Sequence, residues 1–454
     1  MSLTTLDVVV FFFILIITFT VVIIGQRFSD KDSNSLLDYL LMGRKLTLPF
    51  FVMSLVSTWY GGIFGVTQIS YEFGLYNFLT QGLFWYLAYF LFAFFILPKA
   101  RHFEAMTMAD LVGKMFGPKA RIVAALFNFI SVLPIVYIIS LGLLTQAFFG
   151  GSLIVNMSLG MLFVLAYSSF GGLRSVVLSD SVQFVVMCLS VFMVIVFSYA
   201  KFGGIDFLIS NLPESHFKPF EVKPLATTLV WGFIALSTLV DPGFYQRCFA
   251  AKNETIAKNG ILISISVWIL FDLCTTFGGM YARAVLPQVD SAQAYLLYSL
   301  KLLPDGLRGF FVAGIVATIL STLDSYLFIA SNSVSFDLLP VKFQSKKNQI
   351  IGLFFVGILT LILTQIFNGS IAAIWKMFGS FSAGSLLFPV MIGLFFPGKI
   401  IEKDFLIMVS VATFSMLTWN IWGNRDIEAL YIGLFSTLSS FLLLRLAKFL
   451  RLSA

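Results

Sequence analysis

The sequence predicts an all-α, polytopic membrane protein whose core is an inverted repeat of five plus five helices. Three observations predict it: a composition that water does not accept, a train of apolar runs of membrane-spanning length, and two of those runs broken by polar and helix-breaking residues at matching positions.

Of the 454 residues, 59% are hydrophobic and only 11% are charged, whereas an ordinary soluble domain carries about 25% charge. Apolar runs of about 20 residues, each long enough for a hydrocarbon core of roughly 30 Å, recur from residue 7 to the C-terminus. Thirteen can be drawn: 7–26, 48–72, 78–99, 122–148, 153–171, 178–201, 225–248, 258–283, 307–333, 349–367, 371–396, 404–421 and 428–448. The connections leave no room for a soluble kinase, nucleotide-binding or protease domain. The first run follows Asp7, lacks a basic leader and a small-residue cleavage site, and reads as a retained helix rather than a signal peptide.

Lys and Arg are retained on the cytoplasmic side of short loops. With the N-terminus outside and the C-terminus inside, 21 of them fall in cytoplasmic segments, Arg247 and Lys31 among them, against seven outside, including Arg425. The net charge of +7 is accounted for by this bias, and no nucleic-acid partner is expected. Cys188, Cys248 and Cys274 show no paired spacing and His102 and His216 are isolated, so neither a disulfide framework nor a zinc, copper or iron site is expected.

The second run carries Ser57-Thr58-Trp59-Tyr60-Gly61-Gly62 and the seventh carries Ser237-Thr238-Leu239-Val240-Asp241-Pro242-Gly243. Such residues free backbone carbonyls and amides, which hydrocarbon tolerates only where protein or a water-filled cavity satisfies them. Interrupted helices at corresponding places in two halves mark inverted-repeat carriers, in which unwound carbonyls bind the coupling ion. The two runs lie five spans apart, so they cross in opposite directions. On this reading residues 48–201 and 225–396 are the repeats, 1–47 an added helix and loop, and 404–454 two added helices, all within one transmembrane domain. Tight helix packing is the competing explanation for the glycines.

An ionisable group at the bilayer centre costs roughly 2.5–3.5 kcal/mol on insertion scales and needs a partner or a role. In the ninth run Asp324 shares one side of a helix with Thr318, Ser321, Thr322 and Ser325. Carboxylate, hydroxyl and carbonyl oxygens suit a hard cation, with Na+ the natural candidate, although hydroxyls also bond back to carbonyls of their own helix. Asp180, drawn at the entry of the sixth span, fits an N-terminal cap or dipole partner as well as a functional acid. Asp272 and Lys376 either pair with each other or contact a charged solute, and Lys376 also has the reach to snorkel outward.

Four stretches then carry a resemblance: Asp38-Tyr-Leu-Leu-Met-Gly-Arg-Lys45, Gly171-Gly-Leu-Arg-Ser-Val-Val-Leu-Ser-Asp-Ser-Val-Gln183, Gln246-Arg-Cys-Phe-Ala-Ala-Lys252 and Ala317-Thr-Ile-Leu-Ser-Thr-Leu-Asp-Ser325. Over about residues 38–396 the chain resembles the sodium/solute symporter family, which includes bacterial carriers for proline, galactose and sialic acid. The resemblance implies a LeuT-like fold in the inner (plasma) membrane and sodium-coupled symport of a small organic solute by alternating access. It implies no enzyme activity. A shared Na+ site would use the carbonyls of Ser57, Tyr60 and Thr318 with the hydroxyls of Ser321 and Thr322. A second site, for sodium or a proton, would use Asp180, Ser321, Asp324 and Ser325, with Asp324 standing where a hydroxyl is usual.

For the solute the resemblance carries over location: Thr58, Trp59, Gly61, Gly62 and Phe64 at the first break, then Gln81, Trp231, Ser237, Trp375 and Lys376, to which Asp272 is added. Aromatic faces with polar tips suit an amino acid, a sugar or a carboxylate. Residues 122–148 contain no Lys or Arg, so the arginine of sialic acid carriers has no counterpart and sialic acid is disfavoured. A proton-driven carrier using Asp180 and Asp324 and a transporter-like solute sensor are the alternatives. The bilayer, sodium and the solute are the expected partners, and a monomer is compatible with all of this.

Overall fold

The computed structural model describes residues 3–27, 36–168, 172–366, 371–423 and 427–452; Lys31, Gly171 and Arg425 lie outside them. Among the described residues all named elements are helices. Ten are long and apolar enough to cross a membrane, and an eleventh is added if the bent pair Leu225–Val240 and Pro242–Ala250 counts as one span. Two other drawn segments form shorter helices: 48–72 becomes Leu48–Ser57 and Ile63–Phe73, and 153–171 becomes Leu153–Ser168. The helices start and stop where local chemistry directs. Glu254–Val285 opens on Asn253, whose side chain accepts the Ile256 N–H at 2.9 Å, and Leu173–Phe202 ends at Gly203 with φ of 91°, a left-handed turn that glycine adopts freely.

At the centre lies Leu307–Asn332, buried along the whole of its most apolar stretch. It packs against Leu173–Phe202, Thr5–Arg27 and Lys346–Thr364. Glu254–Val285 lies against both pieces of the first broken span, Leu48–Ser57 and Ile63–Phe73. Glu402–Trp422 and Ala429–Leu452 pack on each other and on Ile371–Phe395 at the margin. Their outer faces carry exposed Phe414, Trp422, Phe435 and Leu443, the surface that hydrocarbon covers.

Three of the four resemblance stretches meet at one end of the bundle. Arg174 pairs with Asp38 at 3.0 Å, and the Gln246 amide donates to the Leu40 carbonyl at 3.4 Å. Leu46 N–H donates to Ala250 O, and Lys252 N–H to Leu46 O, both at 3.0 Å. These bonds tie the segment before the first broken span to the end of the second.

The first break is shaped by close approach. A β-carbon on Gly61 would lie 2.5 Å from the Tyr137 ring and 2.6 Å from Thr322 Cβ, and one on Gly62 would overlap the Trp375 ring. The second break is chemical. Asp241 is extended, with φ −77° and ψ 120°, and its side chain caps the next helix at the Phe244 N–H, 2.8 Å away. Pro242 fills the first helical position, where its missing N–H costs nothing, and the chain bends by 41°. Because three neighbouring side chains would have to shift, Gly61→Val and Gly62→Val are each expected to cost about 1–3 kcal/mol, the usual range for overpacking. Thermal unfolding in detergent would show the loss; an unchanged midpoint would mean that the breaks do not depend on glycine.

Candidate sodium and solute sites

In an unbroken helix the Gly61 N–H would donate to the Ser57 carbonyl four residues back. Here the Gly61 N–H donates to Thr322 Oγ1 at 2.9 Å. The Ser57 carbonyl instead accepts from Ser321 Oγ at 2.9 Å and Thr322 Oγ1 at 3.4 Å. Both hydroxyls also lie near the Thr318 carbonyl, at 3.1 and 3.2 Å. The Thr318 hydroxyl bonds back to Gly314 O at 2.7 Å, so Thr318 offers the cluster its carbonyl. Ser57, Thr318, Ser321 and Thr322 are all buried, and the Tyr60–Gly61 peptide is held beside them by Thr322. The cluster is made of neutral oxygens, and among the described residues no three His, Cys, Asp or Glu side chains gather. Such a donor set suits a hard cation of low charge.

Beside this cluster the structure brings together a buried ionic network that sequence reasoning missed. Asp180 is not at a helix entry: it sits two turns into Leu173–Phe202, fully buried, and its Oδ2 accepts from Ser54 Oγ at 2.6 Å. Opposite stands Arg247, whose Nη2 is 3.9 Å from the same oxygen. That nitrogen also donates to Ser325 Oγ at 2.7 Å and Thr58 Oγ1 at 2.9 Å. Arg247 is 1% exposed, so its place among the cytoplasmic loop cations is corrected, and the roughly threefold charge bias survives without it. The signal was present: Arg247 falls inside an apolar run as drawn, where an ionisable group needs a partner. Of the second-site set, Asp180 and Ser325 are spanned by the guanidinium, Ser321 belongs to the first cluster, and Asp324 is buried on the same helix.

The two breaks border a cavity of about 140 Å³. Trp59, Gln81, Trp231, Ser237, Asp272 and Trp375 line it, as the sequence suggested. Thr58 does not, because it is turned to Arg247. Phe64 belongs to the buried core, and Gly61 and Gly62 serve as backbone under Tyr137 and Trp375. Lys376 pairs with Glu428 and does not line the cavity. Asp272 therefore does not pair with Lys376: it accepts from the Tyr60 hydroxyl at 2.5 Å and from the Tyr86 hydroxyl. Gly82, in a π-helical stretch Phe78–Leu83, leaves the room that the Tyr86 hydroxyl occupies. Sequence reasoning missed Trp85, Tyr89, Tyr137, Asp241, Trp268 and Tyr326 in the lining. Asp241 had been read only as a break signal, and the aromatics lie on spans too uniformly apolar for pattern to single them out.

A many-span helical bundle with two interrupted helices, an oxygen cluster at one break and a small aromatic cavity between them defines a multi-pass membrane protein of LeuT-like fold. It superposes with a TM-score of 0.79 on a substrate-bound, outward-open structure of a Na+-coupled sialic acid symporter, at 17% identity over 97% of each chain. A nucleobase-cation-symport-1 family transporter in a closed conformation matches with a TM-score of 0.62 at 11% identity, over 92% of this chain and 95% of that one. The chain belongs to the sodium:solute symporter family, whose model matches residues 39–394.

Its relatives include a sodium/pantothenate symporter of Haemophilus influenzae, 28% identical over 49% of this chain and 50% of that one. They also include a sodium/myo-inositol cotransporter 2 of Rattus norvegicus, 29% identical over 66% of this chain and 51% of that one. The chain thus spans about half the length of these relatives. The family and these relatives are transporters and not enzymes.

Removing one partner of a buried ion pair strands the other charge and costs about 3–5 kcal/mol, whereas replacing both by apolar residues is often neutral. Arg247→Ala is therefore expected to lower the melting midpoint sharply, and Asp180→Leu combined with Arg247→Met to recover most of the loss. Equal damage from the single and the double variant would show that the pair carries no such coupling.

Proposed function

We propose that the protein is a secondary active transporter that couples inward movement of Na+ to symport of a small organic solute by alternating access. The observation that carries this reading is the exchanged hydrogen bond at the first break, which leaves the Ser57 carbonyl facing two hydroxyls of the central helix instead of its own helix. Na+ would be held by the carbonyls of Ser57, Tyr60 and Thr318 and the hydroxyls of Ser321 and Thr322. Binding there joins the broken span to the central helix and favours one arrangement of the two, which is what a coupling ion must do. The repeats are 48–201 and 225–396, the N-terminus faces outside and the C-terminus inside, and the membrane is the plasma membrane, as the distribution of Lys and Arg supports. Family membership and relatives named for pantothenate and myo-inositol support a small organic solute.

The second cation position is read differently from the first. Arg247 places a guanidinium between Asp180 and Ser325, so the protein supplies by a tether the charge that a second sodium or a proton would bring. This favours one Na+ per cycle and sodium over proton coupling. One Na+ crossing a potential of ~100 mV gains about 2.3 kcal/mol, and a tenfold gradient adds roughly 1.4 kcal/mol. Together these support roughly 500-fold accumulation of a neutral solute.

Raising Na+ to about 100 mM, with K+ replaced at constant ionic strength, is expected to raise the melting midpoint of the purified protein as a ligand does. The response should have a Hill coefficient near one. In Ser321→Ala combined with Thr322→Ala it should vanish, together with sodium-stimulated uptake in proteoliposomes. A variant that keeps the full sodium response would sink the assigned site, and a coefficient near two would sink the tethered-cation reading.

A further inference from the structure

We infer that the solute is a small organic cation, a short alkylammonium being the simplest such molecule. This rests on the transport reading above and narrows it to a substrate class.

Charge is the first ground. Asp241 and Asp272 line the cavity, and no Lys, Arg or His is among the residues that line it. Of the nearby basic groups, Lys376 pairs with Glu428, and Arg247 is bonded to Thr58 and Ser325 beside Asp180, with its field also reaching Asp241; among the described residues Asp272 is the cavity acid left without a cation. The phenols of Tyr60 and Tyr86 donate to Asp272, which satisfies its oxygens without bringing positive charge. A carboxylate at membrane depth calls for a counter-charge. A cationic visitor supplies it at Asp272; a carboxylate visitor would add negative charge beside that acid.

The second ground is the wall. Trp59, Trp85, Tyr89 and Trp268 cluster around the cavity, with ring centroids 4.4–6.5 Å apart. Their faces attract an ammonium through the ring quadrupole, most strongly where water is excluded.

The third ground is size: about 140 Å³ is close to the ~150 Å³ of a cavity that takes benzene. A molecule of under about ten heavy atoms fits such a space.

The test uses the whole 454-residue chain in lipid nanodiscs at fixed Na+, with choline, ethanolamine, tetramethylammonium, myo-inositol and pantothenate as probes and the melting midpoint as readout. Choline or ethanolamine should stabilise at concentrations at least tenfold below those needed for myo-inositol or pantothenate. Asp272→Asn should weaken choline at least tenfold. Trp59→Leu should weaken choline and tetramethylammonium alike, because both lose a ring face; this arm stands even where the Asp272 variant does not fold. Preference for pantothenate or myo-inositol, or no response to either amine, overturns the inference. Sodium-dependent uptake of myo-inositol in proteoliposomes would reject the cationic class and keep the transport reading. Choline binding with no uptake under any sodium gradient would do the reverse.

Discussion

The structure depends on one hydrogen bond that is not made. Once Gly61 N–H turns from the Ser57 carbonyl to Thr322 Oγ1, two backbone groups lose their partners in a medium where each unsatisfied group costs several kcal/mol. Donors on the neighbouring helix meet that carbonyl instead, Ser321 and Thr322. The break is thus stabilised across helices rather than within one. This explains why the central helix is buried along its length yet rich in hydroxyls: its polar side completes the backbone of another span. It also fixes the chemistry, since a carbonyl facing two rotatable hydroxyls accepts either their protons or a cation with little movement.

The second break works through a side chain. Asp241 and Pro242 end one helical segment and start another at an angle of 41°, and the new segment carries Arg247 inward, where it meets Asp180, Thr58 and Ser325. Each of these four residues comes from a different span. A guanidinium suits such a junction because its donors lie in a fixed planar fork and it is more weakly hydrated than an ammonium. The network therefore holds the second break against the first, with Thr58 directly after the Ser57 whose carbonyl faces the central helix.

Much of this was legible in the sequence, and what was hidden has physical causes. Span positions follow from apolar length, and both breaks follow from residues that a lipid-exposed helix does not use. The oxygen cluster is legible because Ser321 and Thr322 stand in an otherwise apolar run. Arg247 was misplaced because positive charges at span ends usually belong to loops, and only packing against Asp180 shows that this one is inside. Lys376 invited the opposite error: its partner, Glu428, lies in an added helix beyond the core, so no motif within the repeats discloses the pairing. The cavity aromatics were hidden because 17% of the chain is aromatic, and nothing in a Trp or Tyr on an apolar span says which way it faces.

The two readings, a tethered cation at one site and a cationic solute at the other, have a joint consequence for the electrical work of a cycle. A carrier that binds two sodium ions with a neutral solute moves two charges inward. A carrier whose second cation is an arginine moves one with a neutral solute, and it loses about 2.3 kcal/mol of drive per 100 mV. A cationic solute restores that charge, because the membrane potential then acts on the passenger itself. The same two charges cross, but the sodium gradient enters once, so accumulation depends more steeply on potential than on external sodium. On these two readings the acids of the solute cavity and the arginine beside the ion site would be complementary: one would select a charge from outside, and the other would remove the need for a second ion.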